Sequence, residues 1–281
     1  MRRVLFLLLA CAACQSPPQS TSGSPKQKLR LVISAEPPTL DPRLAGDTVS
    51  GSVMRMCFDG LMRVDSKGKS TPAVAEKVDI SEDGSTYTFH LRESYWADGK
   101  PLTAHDFEKT WKTILDPLFP SRFAYNFYII KNAEEAKEGT CPVEEVGVRA
   151  LGDRTLVVEL RHPAPYFLDL VSAHSFFPVR SDDYLIGNGP FKLTSWRHYN
   201  ELALEKNERY WDAGAVKLSK IHLAILDFRI QGVPEPGDQP ACEVQPLAQS
   251  GESFSAQQGL RQPGCQLKIL GLGGQGFGPQ L

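Results

Sequence analysis

The sequence predicts a mixed α/β fold, because strand-like and helix-like segments intermix along the chain without strict alternation. Apolar residues alternate through residues 87–92, as in a strand with one buried face. Phe107, Trp111 and Ile114 recur at helical spacing a few residues later. The composition is 41% hydrophobic and 23% charged, which is typical of soluble globular proteins. These values exclude a chain that is disordered over most of its length.

The individual elements follow from local patterns. A run of aliphatic residues predicts a first strand at 29–34, and helical spacing predicts a helix over 49–61. Thr103 and Asp106 have the spacing of a capping box and start the helix that ends at 116–117. Further expected elements are strands at 87–92, 154–160 and 220–227, a short helix at 166–171, and a hairpin of 191–196 with 201–206.

The charged residues exclude several classes of function. The chain has 31 basic and 33 acidic side chains and a net charge of -2, which gives no electrostatic footprint for nucleic acid. The six histidines are dispersed without a metal-binding spacing, and no G-x-S-x-G motif occurs. We therefore expect neither an enzyme nor a bound metal or cofactor. An exported hydrolase is disfavoured because the sequence contains no set of catalytic residues at a recognisable spacing.

The first residues have the layout of a secretory signal. Basic residues 1–3 precede the apolar run 4–10, followed by small residues and cysteines. The run is shorter than the about 20 residues that span a bilayer. Cys11 fits the bacterial lipobox pattern better, whereas Cys14 leaves a signal, 1–14, of more usual length. Both stay candidates for lipidation, an ordinary cleaved signal is the alternative, and residues 15–28 predict a flexible tether.

The end of the chain has a different composition. Roughly half of residues 229–281 are Gly, Pro or Gln, and no period of 2 or 3.6 persists there. Such a segment buries too little apolar surface to offset its chain entropy. We expect 229–281 to form a disordered tail.

Several ordered motifs between about 29 and 228 carry a family resemblance. The motifs are Glu36-Pro37-Pro38-Thr39-Leu40-Asp41-Pro42, Phe58-Asp59-Gly60-Leu61, residues 71–76, the long signature 83–107, Asn188-Gly189-Pro190-Phe191-Lys192-Leu193 and residues 204–212. With these motifs the chain resembles the family 5 extracellular solute-binding proteins, which are the oligopeptide, dipeptide and nickel receptors of ABC importers. The oligopeptide receptors are the nearest in pattern.

The resemblance implies a two-lobed clamshell of the periplasmic-binding-protein type II kind, here incomplete. Lobe I would be partial and combine 29–58 with 179–228, and an inserted domain II would cover 59–178. The second ligand lobe would be missing. Because the chain that should follow is absent, we expect strand 220–227 to leave an open edge and the product to aggregate readily.

The implied function is peptide capture. The chain would be a monomeric, lipid-anchored substrate-binding protein in the periplasm or cell envelope. It would deliver oligopeptides to the permease of an ABC importer, in truncated form. The alternative is a degenerate remnant, or a surface interaction domain, that keeps the scaffold and no longer binds.

The resemblance also implies two ligand-contacting segments. Asp47 and Thr48 fall on a loop that touches the ligand backbone, with Gly46 replacing a charged residue that is common there. Phe123 and Tyr125 fall on a second loop, where a tyrosine is common. The plainer alternatives are core packing for the two aromatic residues and a loop or helix-start role for Asp47.

Overall fold

Two four-stranded sheets and a two-stranded ribbon organise residues 27–226, the part of the chain that the computed structural model describes. The fold is mixed α/β, as the sequence predicts. The signal, most of the tether and the tail lie outside the described residues. The strands are β1 (Gln27–Ile33), β2 (Met62–Val64), β3 (Ser70–Pro72), β4 (Ala75–Ile80), β5 (Thr86–Leu91), β6 (Val148–Ala150), β7 (Thr155–Glu159), β8 (Phe191–Arg197), β9 (Glu201–Lys206) and β10 (Leu218–Ile225). The helices are α1 (Thr48–Cys57), α2 (Ala104–Leu115), α3 (Ala133–Lys137) and α4 (Phe167–Leu170).

The first sheet has the order β1-β10-β9-β8. β10 lies parallel to β1 on one side and antiparallel to β9 on the other. The expectation of an open edge at 220–227 is therefore wrong, since this strand is internal to the sheet. The error arose because β1 precedes β10 by about two hundred residues, and the pairing of strands so distant in sequence has no local signal.

The second sheet has the order β4-β5-β7-β6 and is antiparallel throughout. Helix α2 packs on β6 and β7. It buries Phe107, Trp111 and Ile114 completely, as their spacing predicts. Fully burying one such side chain stabilises the fold by about 1.5–3 kcal/mol. The backbone N–H of Thr103 donates to Oδ2 of Asp106 at 2.8 Å, which confirms the predicted helix start.

Two predicted boundaries need correction. β1 begins at Gln27, so the last two residues of the predicted tether belong to the strand, because pairing with β10 continues to that point. Helix α1 ends at Cys57, four residues before the predicted end. The Cys57 carbonyl accepts a hydrogen bond from the Gly189 N–H at 2.8 Å. This contact joins the end of α1 to a distant segment instead of continuing the helix.

Residues 187–189 cross close to the end of α1. A Cβ at Gly187 would lie 1.8 Å from the Cys57 carbonyl oxygen, and one at Gly189 would lie 2.5 Å from the Phe58 nitrogen. Both positions therefore require glycine for close backbone approach. The first sheet takes its strands from the predicted lobe I and the second sheet from the predicted domain II. The division into two lobes remains a prediction.

Candidate functional site

The first predicted ligand segment forms the start of helix α1. Asp47 is the N-cap residue, and its Oδ1 accepts a hydrogen bond from the Ser50 N–H at 2.8 Å. Thr48 is the first residue of the helix and is exposed. The helix-start role therefore holds for Asp47. The capping hydrogen bond uses Oδ1 of Asp47, and Oδ2 has no hydrogen-bond partner among the described residues.

The second predicted segment begins a short 3-10 turn at Ala124–Phe127. Tyr125 is 60% exposed, so core packing is the wrong interpretation for this residue. Phe123 is half-buried, and its ring centroid lies 6.1 Å from that of Tyr125. The two aromatic side chains thus form a small, partly accessible patch.

A histidine that sequence reasoning missed connects the two segments. The ring of His174 meets that of Phe123 edge to face, with centroids 5.4 Å apart. On its other side, His174 lies beside Gly51 of α1, where a Cβ would be 3.6 Å from the imidazole. No spacing rule could have found His174, because it is over a hundred residues from Asp47 in the sequence.

The environment of His174 favours its neutral form. Burial lowers the pKa of the imidazole, and the positive charge of Arg55 lowers it further. The Asp47 carboxylate opposes this shift. The Nε2 atom is buried and has no hydrogen-bond partner among residues 27–226. His174 is therefore an uncharged aromatic support between the two segments at neutral pH.

Arg122 adds a second contact between the segments. A Cβ at Gly46 would lie 2.9 Å from Cδ of Arg122, so the arginine side chain lies directly across the glycine backbone. Both residues are exposed. Together with Asp47, Thr48, Phe123, Tyr125 and His174, they form what we call the Asp47 site.

A separate open cavity of about 580 Å³ lies beside β8. Its lining includes Tyr184, Trp196 and His198. Glu36 contacts two of these residues: its Oε1 accepts a hydrogen bond from Trp196 Nε1 at 3.0 Å and lies 2.6 Å from His198 Nδ1. The predicted ligand residues do not line this cavity.

The described part of the chain contains neither a disulfide bond nor a cluster of metal-ligating side chains. Cys57 and Cys141 are both free thiols there. Burial raises the pKa of the Cys57 thiol to about 12, which suppresses its reactivity. Residues 27–226 contain no cluster of three potential metal-ligating side chains. Within the same residues, no helix has the length and apolar character needed to cross a membrane.

The arrangement of sheets and helices is that of the substrate-binding proteins. The chain superposes on the substrate-binding domain of an oligopeptide ABC transporter from Bacillus anthracis with a TM-score of 0.70. The two are 38% identical, and the match covers 72% of this chain and 42% of that one. Residues 69–231 match the family described as bacterial extracellular solute-binding proteins, family 5 Middle. The chain belongs to this family.

Curated relatives agree with the family assignment. The chain is 39% identical to the oligopeptide-binding protein OppA of Bacillus subtilis over 245 residues, which is 80% of this chain and 45% of the relative. It is 36% identical to the dipeptide-binding protein DppE of the same organism, again over 80% and 45% of the two chains. The match therefore covers less than half the length of these relatives.

Proposed function

We propose that this protein captures oligopeptides outside the cytoplasm as the substrate-binding component of an ABC importer, and hands them to the importer's permease. The Asp47 site is the part of the chain that contacts the peptide. The membership of the family and the names of the relatives, oligopeptide-binding and dipeptide-binding proteins, support this reading. The match covers about 45% of each of these relatives, so capture by the whole protein is part of the proposal.

The observation that carries the proposal is the meeting of two distant segments. Arg122 lies against Gly46, and His174 lies between Phe123 and Gly51 of helix α1, although about 75 residues separate the two segments in the sequence. The family resemblance implies both segments as ligand contacts from the sequence alone. The contacts of Arg122 and His174 therefore place the two segments on one surface, which a single ligand can contact.

The chemistry of the site suits a peptide. Oδ2 of Asp47 can accept a hydrogen bond from a peptide N–H or a terminal ammonium group. The exposed Tyr125 offers a flat apolar face and a hydroxyl group. Recognition of an extended peptide combines such polar contacts with pockets or faces for alternate side chains. No nucleophile or general base is needed for capture.

Anchoring by an N-terminal lipid is the second part of the proposal. Cys11 or Cys14 would carry the lipid, and the Ser- and Pro-rich residues after it would hold the domain away from the membrane. Metabolic labelling with a fatty acid tests this part, using Cys11→Ser and Cys14→Ser variants. We expect one variant to lose the label, whereas an unlabelled wild-type protein would contradict the lipid anchor.

Peptide binding is tested by fluorescence polarisation with labelled oligopeptides and the full chain. We expect Tyr125→Ala and Phe123→Ala to weaken binding at least about fivefold, which is the loss of roughly 1 kcal/mol of aromatic contact. Tyr184→Ala is the matched control, since Tyr184 is also an exposed tyrosine but lines the separate cavity. If no peptide binds even at millimolar concentration, the protein is a non-binding remnant of the family scaffold. Equal losses in the control would place binding elsewhere.

A further inference from the structure

We propose that Arg122 binds a carboxylate of the peptide, so that this protein prefers peptides with an acidic group near the Asp47 site. The inference rests on the proposed function and adds a ligand preference to it. Two observations support it: the excess of basic side chains in the two segments of the site, and the position of Arg122 against Gly46.

Basic side chains outnumber acidic ones in the two chain segments that form most of the Asp47 site. The charged side chains of residues 43–55 and 119–125 are Arg43, Asp47, Arg55 and Arg122. Arg43 is neutralised by Asp41, with Nη2 and Oδ2 at 2.7 Å. Within these two segments, Arg55 and Arg122 outnumber the single remaining carboxylate, that of Asp47, while burial and the charge of Arg55 favour the neutral form of His174.

Neither of these two arginines has a carboxylate partner within 4 Å among the described residues. Arg55 makes one long hydrogen bond, 3.4 Å from Nη1 to the Ser172 carbonyl. Both side chains are exposed. An exposed guanidinium without a partner can pair with an incoming carboxylate without first breaking an internal ion pair.

Gly46 determines where the Arg122 side chain lies. Because a Cβ at this position would be 2.9 Å from Cδ of Arg122, any other residue would force the arginine to move. The glycine therefore lets Arg122 lie beside Asp47 and Thr48, the residues proposed to contact the peptide backbone. A planar guanidinium at that place can bind a carboxylate through two parallel hydrogen bonds.

The ligand carboxylate has two sources, an acidic side chain and the peptide's C-terminus. Five tetrapeptides with a free N-terminus distinguish them. Three have amidated C-termini and carry Glu, Gln or Lys at the second position, and the fourth is tetra-alanine with a free C-terminus. Tetra-alanine amide is the reference for the fourth peptide. Affinities are measured by isothermal titration calorimetry with the full chain at about 20 mM and about 500 mM salt, where screening differs strongly.

We expect the wild-type protein to bind the Glu peptide about three- to tenfold more tightly than its Gln analogue at low salt, and the Lys peptide more weakly than both. The preference should shrink at high salt and disappear in Arg122→Gln. Lys109→Gln is the control, because Lys109 is an exposed cation on α2 outside the site, and it should retain the preference. If tetra-alanine with a free C-terminus gains the advantage instead, Arg122 binds the terminal carboxylate.

The inference is overturned if carboxylate-bearing peptides show no advantage, or if Arg122→Gln keeps the wild-type ratio. Binding of the Gln peptide would then still support the proposed function, so the two claims fail separately. Absence of binding for every peptide would overturn both. Thermal melting of Arg122→Gln should match that of the wild-type protein, because the side chain is exposed.

Discussion

Replacing Asp59 by alanine should destabilise the fold strongly, because its carboxylate holds together segments that are distant in the sequence. Asp59 is only 5% exposed. Its Oδ2 accepts hydrogen bonds from the Tyr210 hydroxyl at 2.7 Å and from Trp211 Nε1 at 3.0 Å. Its backbone pairs with the side chain of Asn188, which donates to the Asp59 carbonyl at 2.8 Å. Arg63 completes the cluster by donating to the Tyr210 hydroxyl at 2.8 Å.

The size of the effect follows from these contacts. Hydrogen bonds to a charged group contribute about 1.5–3 kcal/mol each. Asp59→Ala removes three of them, because Oδ1 also accepts one from the Gly60 N–H at 3.1 Å. The Trp211 Nε1–H group then has no acceptor, and the Arg63 guanidinium loses the nearby negative charge of Asp59. We expect the free energy of unfolding to fall by about 3–5 kcal/mol, the range for breaking a buried charged network.

The measurement is urea unfolding followed by circular dichroism and tryptophan fluorescence. Asp212→Ala is the matched control, because Asp212 also pairs with Arg63, at 3.2 Å, but is partly exposed. Its loss should cost at most about 1 kcal/mol. A loss below about 1 kcal/mol for Asp59→Ala, or equal losses for the two variants, would refute the reasoning. The buried network would then not be a source of stability.

Three further predictions concern residues outside the Asp47 site. Burial raises the pKa of the Asp59 carboxyl, and its hydrogen bonds oppose this shift only partly. The stability that results is present below the unfolded pKa of about 3.9 and is lost as the pH rises through the folded pKa. Urea unfolding at several pH values should therefore show Asp59→Asn gaining stability relative to wild type above about pH 4, and a constant difference would count against this expectation. Gly187→Ala should lower the unfolding free energy by about 1–3 kcal/mol, whereas Gly214→Ala, with open space around it, should change it little; equal melting curves would contradict the close approach. Iodoacetamide followed by peptide mass spectrometry should modify the half-exposed Cys141 faster than the buried Cys57, and the reverse order would show that the end of α1 opens readily.

The sequence predicted the local elements well where a periodic pattern and a clear end signal coincide. Helix α2 is the best case, since Asp106 marks its start and its apolar stripe is fully buried. The hairpin of β8 and β9 was equally plain, because its strands are neighbours in the sequence. The family motifs went further and predicted the family, whereas the two ligand-contact segments stay a prediction.

The sequence failed where an outcome depends on distant partners. The C-terminal end of α1 was placed too late because Gly189 binds the Cys57 carbonyl from over a hundred residues away. The position of β10 was misjudged for the same reason, since its parallel partner β1 lies at the other end of the described chain.

The amino-acid sequence alone determined the fold class, the principal helix and hairpin, and the family, because those depend on local periodicity and on ordered motifs. Only the tertiary structure decided that His174 and Arg122 join the predicted ligand segments, and that Asp59 lies between Tyr210 and Trp211. The physical reason is that burial, charge balance and hydrogen-bond partners belong to neighbours in space, and these neighbours come from segments that no sequence period connects.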